Sequence, residues 1–445
     1  MPIGLFIHLK YTTLGAGQIS YCIEAVKMAL ARLRPHLLAE CFMVFVVLLL
    51  LLFGFRCEPL HSSQQQGKEA GSSFNGQLDD INNSTLGFGK IYAISLPSRT
   101  DRRDAMTLMA ATSGLDIEYI RGRTGDEVSD RTLPPPAARN SLRPGDIGSW
   151  RAHLDAISAV VKNNLETALI IEDDVDWDIN IHQQMIDFAA TTRALTQPLY
   201  GWSLFSYADP AFENPTAYDG QPPDLDFDAL PRTVPPKRSP YGDNWDVLWI
   251  GHCGAMAPNV SLSNNGLGEL SKQLRRGRVV HRNDPTVPER DSISILEQEV
   301  DPRETVPEHS RITHYPLHQF CTFAYAVSQK GARRILYELG LRKFDLPFDL
   351  MLRDICIGHG RPRNAICLTV EPALVHTHKS GRHSTHSDID TTEQNDHSLF
   401  EKPFTRNIRH SVRLNLANLL SEMKPVFDQY PDKHAAGDDA RKDDT

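Results

Sequence analysis

The chain has 445 residues, 40% of them hydrophobic, enough for one large or two ordinary domains with a substantial core. A formal net charge of -9 excludes the usual nucleic-acid binder, whose surface is basic. Seven cysteines without a CxxC pair argue against a zinc ribbon or a thioredoxin-type site.

From Leu37 to Phe55 the only charged residue is Glu40, and Leu48 to Leu52 is an unbroken leucine run. Nineteen helical residues rise about 28 Å, close to the hydrocarbon thickness of a bilayer. Lys27, Arg32 and Arg34 precede the run and only Arg56 closely follows it. This bias predicts a single N-terminal transmembrane helix, with residues 1–36 cytoplasmic and the rest across the membrane. The run is long for a cleaved signal, and no small-x-small site follows it. Met28 opens MALARLRPHLL, which alone would make a short cytoplasmic tail, so translation starts at Met28 or at Met1. Sequons at Asn82, Asn83 and Asn259 agree with a lumenal location. An oxidising lumen permits disulfides, and Cys356 with Cys367 is the expected pair.

Residues 56–88, rich in Ser, Gln, Gly and Asn, read as a flexible stem. IYAISL, from Ile91, is a strand. Thr100 to Ser113 is a helix with Asp101, Arg102 and Arg103 near its N-terminus, a workable diphosphate or nucleobase site. After a turn at Pro144 and Gly145, with Asp146 as a cap, Trp150, His153, Leu154, Ile157, Val160 and Val161 share one helical face. His153 is expected to face the core.

ETALIIEDDVDWD, residues 166–178, runs a buried strand into Glu172, Asp173 and Asp174. An acidic cluster is commonly a solvated loop face. Three adjacent carboxylates also suit a hard divalent cation, Mn²⁺ or Mg²⁺, which can hold a diphosphate. The alternation of Asp174, Asp176, Asp178 and Asn180 resembles a calcium loop, but Ile179 and Met185 stand where that loop needs Gly and Glu.

Residues 208–244 read as a long loop and WDVLWIG as a buried strand. Residues 281–313 read as a polar excursion with little core, Phe320 to Val327 as a strand and Gln329 to Leu339 as a helix. A late strand, Val370 to Val375, precedes HTHKSGRHSTH, with His376, His378, His383 and His386. That segment reads as a surface His-rich loop, as a zinc site, or as the source of one imidazole for the cation site, with Lys379 or Arg382 nearby for phosphate. Residues 426–445 read as a charged, disordered tail. Alternating strands and helices predict an α/β domain with a mostly parallel sheet flanked by helices.

IYAISLPSRTDRRDAM, LRPGDIGSWRAHLDAI, ALIIEDDV, WDVLWIGHCG, CTFAYAVSQKGARRIL, LPFDLML and EPALVHTHKSG occur in that order between Lys90 and Asp390. In these blocks the chain resembles glycosyltransferase family 25, which includes bacterial lipooligosaccharide and animal collagen galactosyltransferases. The resemblance implies a GT-A-like, Rossmann-type domain, here residues 89–425, that binds a UDP-sugar with Mn²⁺ (or Mg²⁺) and inverts the anomeric centre. It implies Asp173, Asp174 and His378 as metal ligands, and Arg99, Arg102, Arg103, Glu172 and Asp173 as contacts to the nucleotide. Asp349, in LPFDLML, is the expected base, with a helix N-cap as its other reading; Glu371 and Asp246 are lesser candidates. The segment between WDVLW and CTFAY departs from both groups of relatives, and with it the basis for naming the acceptor.

The expectation is a single-pass type II transferase of the Golgi (or ER) membrane that moves a hexose, galactose foremost, onto a glycan or glycoprotein acceptor. The rival is a catalytically inactive lumenal module that binds a nucleotide sugar or glycan. A metal-dependent phosphodiesterase would need further Asp/His ligands before the acidic strand, and none are clustered there.

Overall fold

The computed structural model describes residues 78, 80–203, 206–262, 266–294, 305–359, 364–381, 402–421 and 425–433. The expected cytoplasmic tail, the span at 37–55, most of the stem, Cys57, Arg382, His383 and His386 lie outside these residues. Among the described residues no helix is long and apolar enough to cross a membrane.

The strands in chain order are β1 (Ile91–Ser95), β2 (Ile117–Arg121), β3 (Thr167–Glu172), β4 (Val175–Trp177), β5 (Leu225–Asp226), β6 (Val247–Gly251), β7 (Gly254–Met256), β8 (Arg278–His281), β9 (Arg311–His314), β10 (His318–Phe320), β11 (Ala324–Ser328), β12 (Cys367–Glu371), β13 (Val375–Lys379) and β14 (Phe404–Thr405). The helices are α1 (Thr100–Thr112), α2 (Pro144–Lys162), α3 (Ile181–Thr196), α4 (Leu267–Lys272), α5 (Gln329–Tyr337), α6 (Phe348–Ile357) and α7 (Val412–Ser421).

The main sheet runs β2-β1-β3-β11-β6-β12-β9-β8-β5. Its centre is largely parallel: β2, β1 and β3 run together, as do β6 and β12, and β11 lies antiparallel between the two groups. The apolar runs of β3 and β6 follow from burial on both faces. Ala168, Ile170, Val247 and Trp249 point into one core, against Trp150, Leu154 and Ile157 of α2 and Ile335 of α5. Leu169, Ile171, Leu248 and Ile250 point into the other, against Met106 and Met109 of α1 and Met185 and Phe188 of α3.

Several expectations need correction. Residues 80–88, given to a flexible stem, contain the buried Ile81, Leu86 and Phe88. The excursion expected at 281–313 contains β9, a buried strand between β12 and β8. Its Arg311 is neutralised by Asp284, 2.6 Å away, so a charge sits inside a strand. The strand expected at 320–327 is two strands, β10 and β11, separated at Cys321, whose φ is +62°. The late strand is likewise two. Pro372, with no N–H for a ladder, follows the end of β12. His376 and His378 therefore lie within β13 rather than in a surface loop. The tail given as disordered from 426 is tied down at its start: Phe427 N–H donates to Asn415 Oδ1 at 2.6 Å, and Asp428 pairs with Arg409 at 2.8 Å.

Candidate active site

A cavity of about 720 Å³ opens at the carboxyl ends of β1, β2, β3 and β6, closed on one side by β13. In open α/β sheets that end of the strands is where ligands bind. Its wall includes Gly122 to Asp126 after β2, Glu172 to Asp174 at the end of β3, Cys321 to Phe323 before β11, the first turn of α6, and His376 to Lys379.

The acidic triplet divides its work. Glu172 accepts from Thr322 Oγ1 at 3.0 Å and lies 3.6 Å from His153 Nε2. His153 Nδ1 meets the Tyr325 hydroxyl at 3.0 Å, and Nε2 meets Thr322 Oγ1 at 3.4 Å. One assignment satisfies the chain: Tyr325 donates to Nδ1, Nε2–H donates to Thr322, and Thr322 donates to Glu172. His153 is in the core as expected, stacked 4.3 Å from Phe348, but it also lines the cavity. Arg102 Nη1 donates to Asp173 Oδ1 at 2.9 Å and lies 3.1 Å from Asp174 Oδ2. Burial works against the Arg102 charge, but Asp174 and Asp173 outweigh it and hold its pKa above the ordinary arginine value. Burial pushes the Asp173 carboxyl up, against the pull of Arg102.

Asp176 and Asp178, further along the acidic run, face the C-terminal segment instead. Asp176 is wholly buried and accepts from Thr405 Oγ1 at 2.5 Å, Trp177 N–H at 2.8 Å and Arg413 N–H at 3.2 Å, as well as from Ser411. Asp178 accepts from the backbone of His410 at 3.0 Å. These bonds fasten residues 405–413 beside the triplet, and Arg406 of that stretch lines the cavity.

Asp349 also lines the cavity, in the first turn of α6. Its Oδ1 accepts from Leu350 N–H at 2.8 Å and its Oδ2 from Cys321 N–H at 2.9 Å. Pro347, not Asp349, is the N-cap residue.

The remaining candidates are placed differently. Among the three arginines only Arg102 lines the cavity. Arg99 pairs with Asp101 at 2.9 Å, and Arg103 lies over the Tyr119 ring at 4.6 Å. Asp246 precedes β6, at the opposite end of the strand from the cavity, where it pairs with Lys330 at 3.2 Å and accepts from Ile366 N–H at 2.9 Å. Glu371 is buried 3.8 Å from His252 and does not line the cavity. Asp146 does not cap α2; Arg143 holds both its oxygens at 2.8 Å.

Among the described residues no group of three or more His, Cys, Asp or Glu could by itself hold a metal ion. That does not make the carboxylates unsuited to one, since Mg²⁺-like ions take one or two protein carboxylates plus substrate phosphates and water. Asp174 fits this role: its Oδ1 is buried and has no hydrogen-bond partner. His378 lines the same cavity, its Nδ1 is engaged by Thr405 Oγ1 at 2.9 Å, and burial lowers its pKa to about 3, leaving the neutral imidazole that ligation needs. Asp173 fits less well, because Arg102 takes its Oδ1.

Among the described residues two disulfides are formed. Cys356–Cys367 is the expected one. Cys253–Cys321 was not foreseen, and both its residues line the cavity.

The family model described as "Glycosyltransferase family 25 (LPS biosynthesis protein)" matches residues 88–215. A "Glycosyltransferase 25 family member" of Anopheles gambiae is 27% identical over 29% of this chain and 23% of its own length. Mouse "Procollagen galactosyltransferase 2" is 25% identical over 23% of this chain and 18% of its own. The human "Inactive glycosyltransferase 25 family member 3" is 29% identical over 23% and 19%. In these matches the chain spans less than a quarter of each relative's length.

Proposed function

The chain is a glycosyltransferase family 25 protein, and from that premise we propose that its cavity takes a UDP-sugar and transfers the hexose, galactose foremost, to a glycan or glycoprotein hydroxyl with inversion. The reading rests on one observation: the strand-end carboxylates, Arg102 and Asp349 converge on a single cavity at the carboxyl ends of a largely parallel sheet. That placement supports a GT-A-type, Rossmann-like donor domain. Galactose is carried over from the name of the procollagen relatives.

Arg102 offers a guanidinium to a phosphate oxygen without leaving Asp173. A Mn²⁺ or Mg²⁺ held by Asp174, with Asp173 and His378 beside it, would neutralise charge on the leaving diphosphate. Asp349 removes the proton of the acceptor hydroxyl. Each of its oxygens accepts one backbone N–H, which fixes the carboxylate while leaving lone pairs for that proton. Glu172, held by Thr322, orients a ribose or sugar hydroxyl. The apolar segment 37–55 and the two disulfides support a Golgi (or ER) membrane form with this domain in an oxidising lumen.

A second reading, an inactive module that binds a nucleotide sugar or glycan, is favoured by Arg102 already occupying both carboxylates and by relatives named inactive. UDP release from a panel of UDP-sugars with Mn²⁺, repeated with EDTA, separates the two. Metal-dependent turnover of one donor supports the transferase. UDP binding by calorimetry without turnover of any donor, even with glycan and glycoprotein acceptors present, supports the module, and no binding refutes both.

A further inference from the structure

We infer that the Cys253–Cys321 disulfide is a positioning element of the active site: it holds the Cys321–Phe323 segment that orients both Asp349 and Glu172. This rests on the transferase reading for its catalytic consequence, but not for its structural one.

Cys253 lies just past β6 and Cys321 just past β10, where β7 and β10 pair side by side. The ladder ends at Phe320, which pairs with Gly254, and Cys253 N–H donates to Phe320 O at 3.0 Å. Beyond that point only three residues remain before β11 begins at Ala324. Cys321, the first of them, has a φ of +62°, a left-handed conformation that costs a non-glycine residue about 1 kcal/mol or more. The segment must be held from outside to stay there. Trp249 Nε1–H donates to Cys321 O at 2.9 Å, and the disulfide fixes the side chain.

In that conformation the three residues reach two carboxylates. Cys321 N–H donates to Asp349 Oδ2 at 2.9 Å. Thr322 Oγ1 donates to Glu172 Oε1 at 3.0 Å, and Glu172 N–H donates back to Phe323 O at 3.0 Å. Asp349 belongs to α6 and Glu172 to β3, so this segment bridges the expected base to the acidic strand end. Cys356–Cys367 makes no such contact: neither cysteine lines the cavity. Reduction would open both bridges together, so substitution is the cleaner probe.

The experiment compares the full chain with Cys253→Ser/Cys321→Ser and with Cys253→Ala/Cys321→Gly. Glycine accepts the positive φ without strain, so the second variant removes the bridge but not the backbone conformation. Hydrogen–deuterium exchange should show faster uptake in peptides spanning 319–324 and 346–351 and at the Glu172 end of β3, with the β1 and β2 peptides unchanged. Donor hydrolysis should lose about 10- to 100-fold in kcat through the misplaced base, with a smaller rise, up to several-fold, in donor KM through the loosened Glu172. A bridge that merely stabilised the fold would raise uptake across the sheet, β1 and β2 included, and lower apparent kcat only by the fraction unfolded, with KM unchanged. Unchanged uptake at 319–324 in the glycine variant overturns the inference. If the unaltered protein turns over no donor, the transferase reading fails by itself and the exchange measurement still decides the positioning role.

Discussion

Arg102 and Asp173 form an ion pair 2.9 Å long with side-chain exposures of only 10% and 7%, and the same guanidinium lies 3.1 Å from Asp174. A charge pair that dry is strongly asymmetric to mutation, because removing one partner strands the other. Arg102→Ala should therefore cost about 3–5 kcal/mol of stability, measured by denaturant unfolding. Arg102→Lys should keep most of that stability but weaken UDP affinity by roughly tenfold, since one ammonium cannot face two carboxylates and a phosphate in the planar geometry of a guanidinium. Equal UDP affinity in the lysine variant would remove Arg102 from the donor site.

Asp174 stands apart from that dependence. Its side chain is 28% exposed and Asp173 retains Arg102 without it. Asp174→Ala should leave the unfolding midpoint nearly unchanged, because the loss of a like charge beside Asp173 offsets the lost contact with Arg102. Metal-dependent UDP release should fall at least about 10³-fold, the scale of losing a group that stabilises leaving-group charge. Near-normal turnover in this variant would refute the metal role.

The central part of this site was legible because burial and charge are both written in short runs. ALIIEDD had to be a two-sided buried strand ending at a lip, and the face shared by Trp150, His153, Leu154 and Ile157 had to be a core helix. What misled was charge whose partner lies far away in sequence. Arg311 made β9 look like solvent-facing loop until Asp284 neutralised it. Buried histidines in β13 read as a surface cluster for the same reason. Asp246 lies away from the cavity because a carboxylate before a strand sits at the far end from one after it. No local pattern could pair Cys253 with Cys321 or bring Arg406 to the cavity, because both depend on tertiary closure.

Asp349→Asn tests the base at the cost of one of its two backbone hydrogen bonds. Asparagine can accept the Cys321 N–H through its carbonyl oxygen, which keeps the link to the Cys321 segment while the bond from Leu350 N–H is lost. It cannot take a proton. UDP affinity should stay within about twofold by calorimetry, while kcat falls by about 10²- to 10⁴-fold, the usual contribution of a general base. Surviving transfer would put the base elsewhere, with Glu172 as the next carboxylate on the cavity wall.

Gly148 links α2 to the wall after β2. A Cβ at this position would meet Arg123 O at 2.3 Å, and the neighbouring atoms are the backbone of Thr124 and Gly125. Gly148→Ala must push the Arg123–Gly125 segment outward, and all three residues line the cavity. Overpacking of this kind costs about 1–3 kcal/mol. Donor KM should rise several-fold, with kcat much less affected because Asp349 lies on a different element. A variant with native stability and KM would show that α2 and the segment separate without cost, against the packing described here.

Acid should destabilise this fold from just below neutrality, through buried histidines that do not line the cavity. Burial lowers the pKa of both His252 and His314 to about 4, from an ordinary 6.5. Their backbone acceptors, Val370 O at 2.9 Å and Tyr315 O at 2.8 Å, pull the other way and do not compensate. A folded pKa below the unfolded one means that the unfolded chain binds the extra proton. The stability is thus intact above about pH 6.5 and drains as pH falls from there toward 4, at up to about 1.4 kcal/mol per pH unit for each histidine. Urea unfolding at pH 7.5, 6 and 5 should show this decline. His314→Gln, which cannot protonate, should be less stable at pH 7.5 yet lose stability more slowly on acidification, by the share of one proton. An identical slope in the variant would mean that His314 is not held neutral in the folded protein.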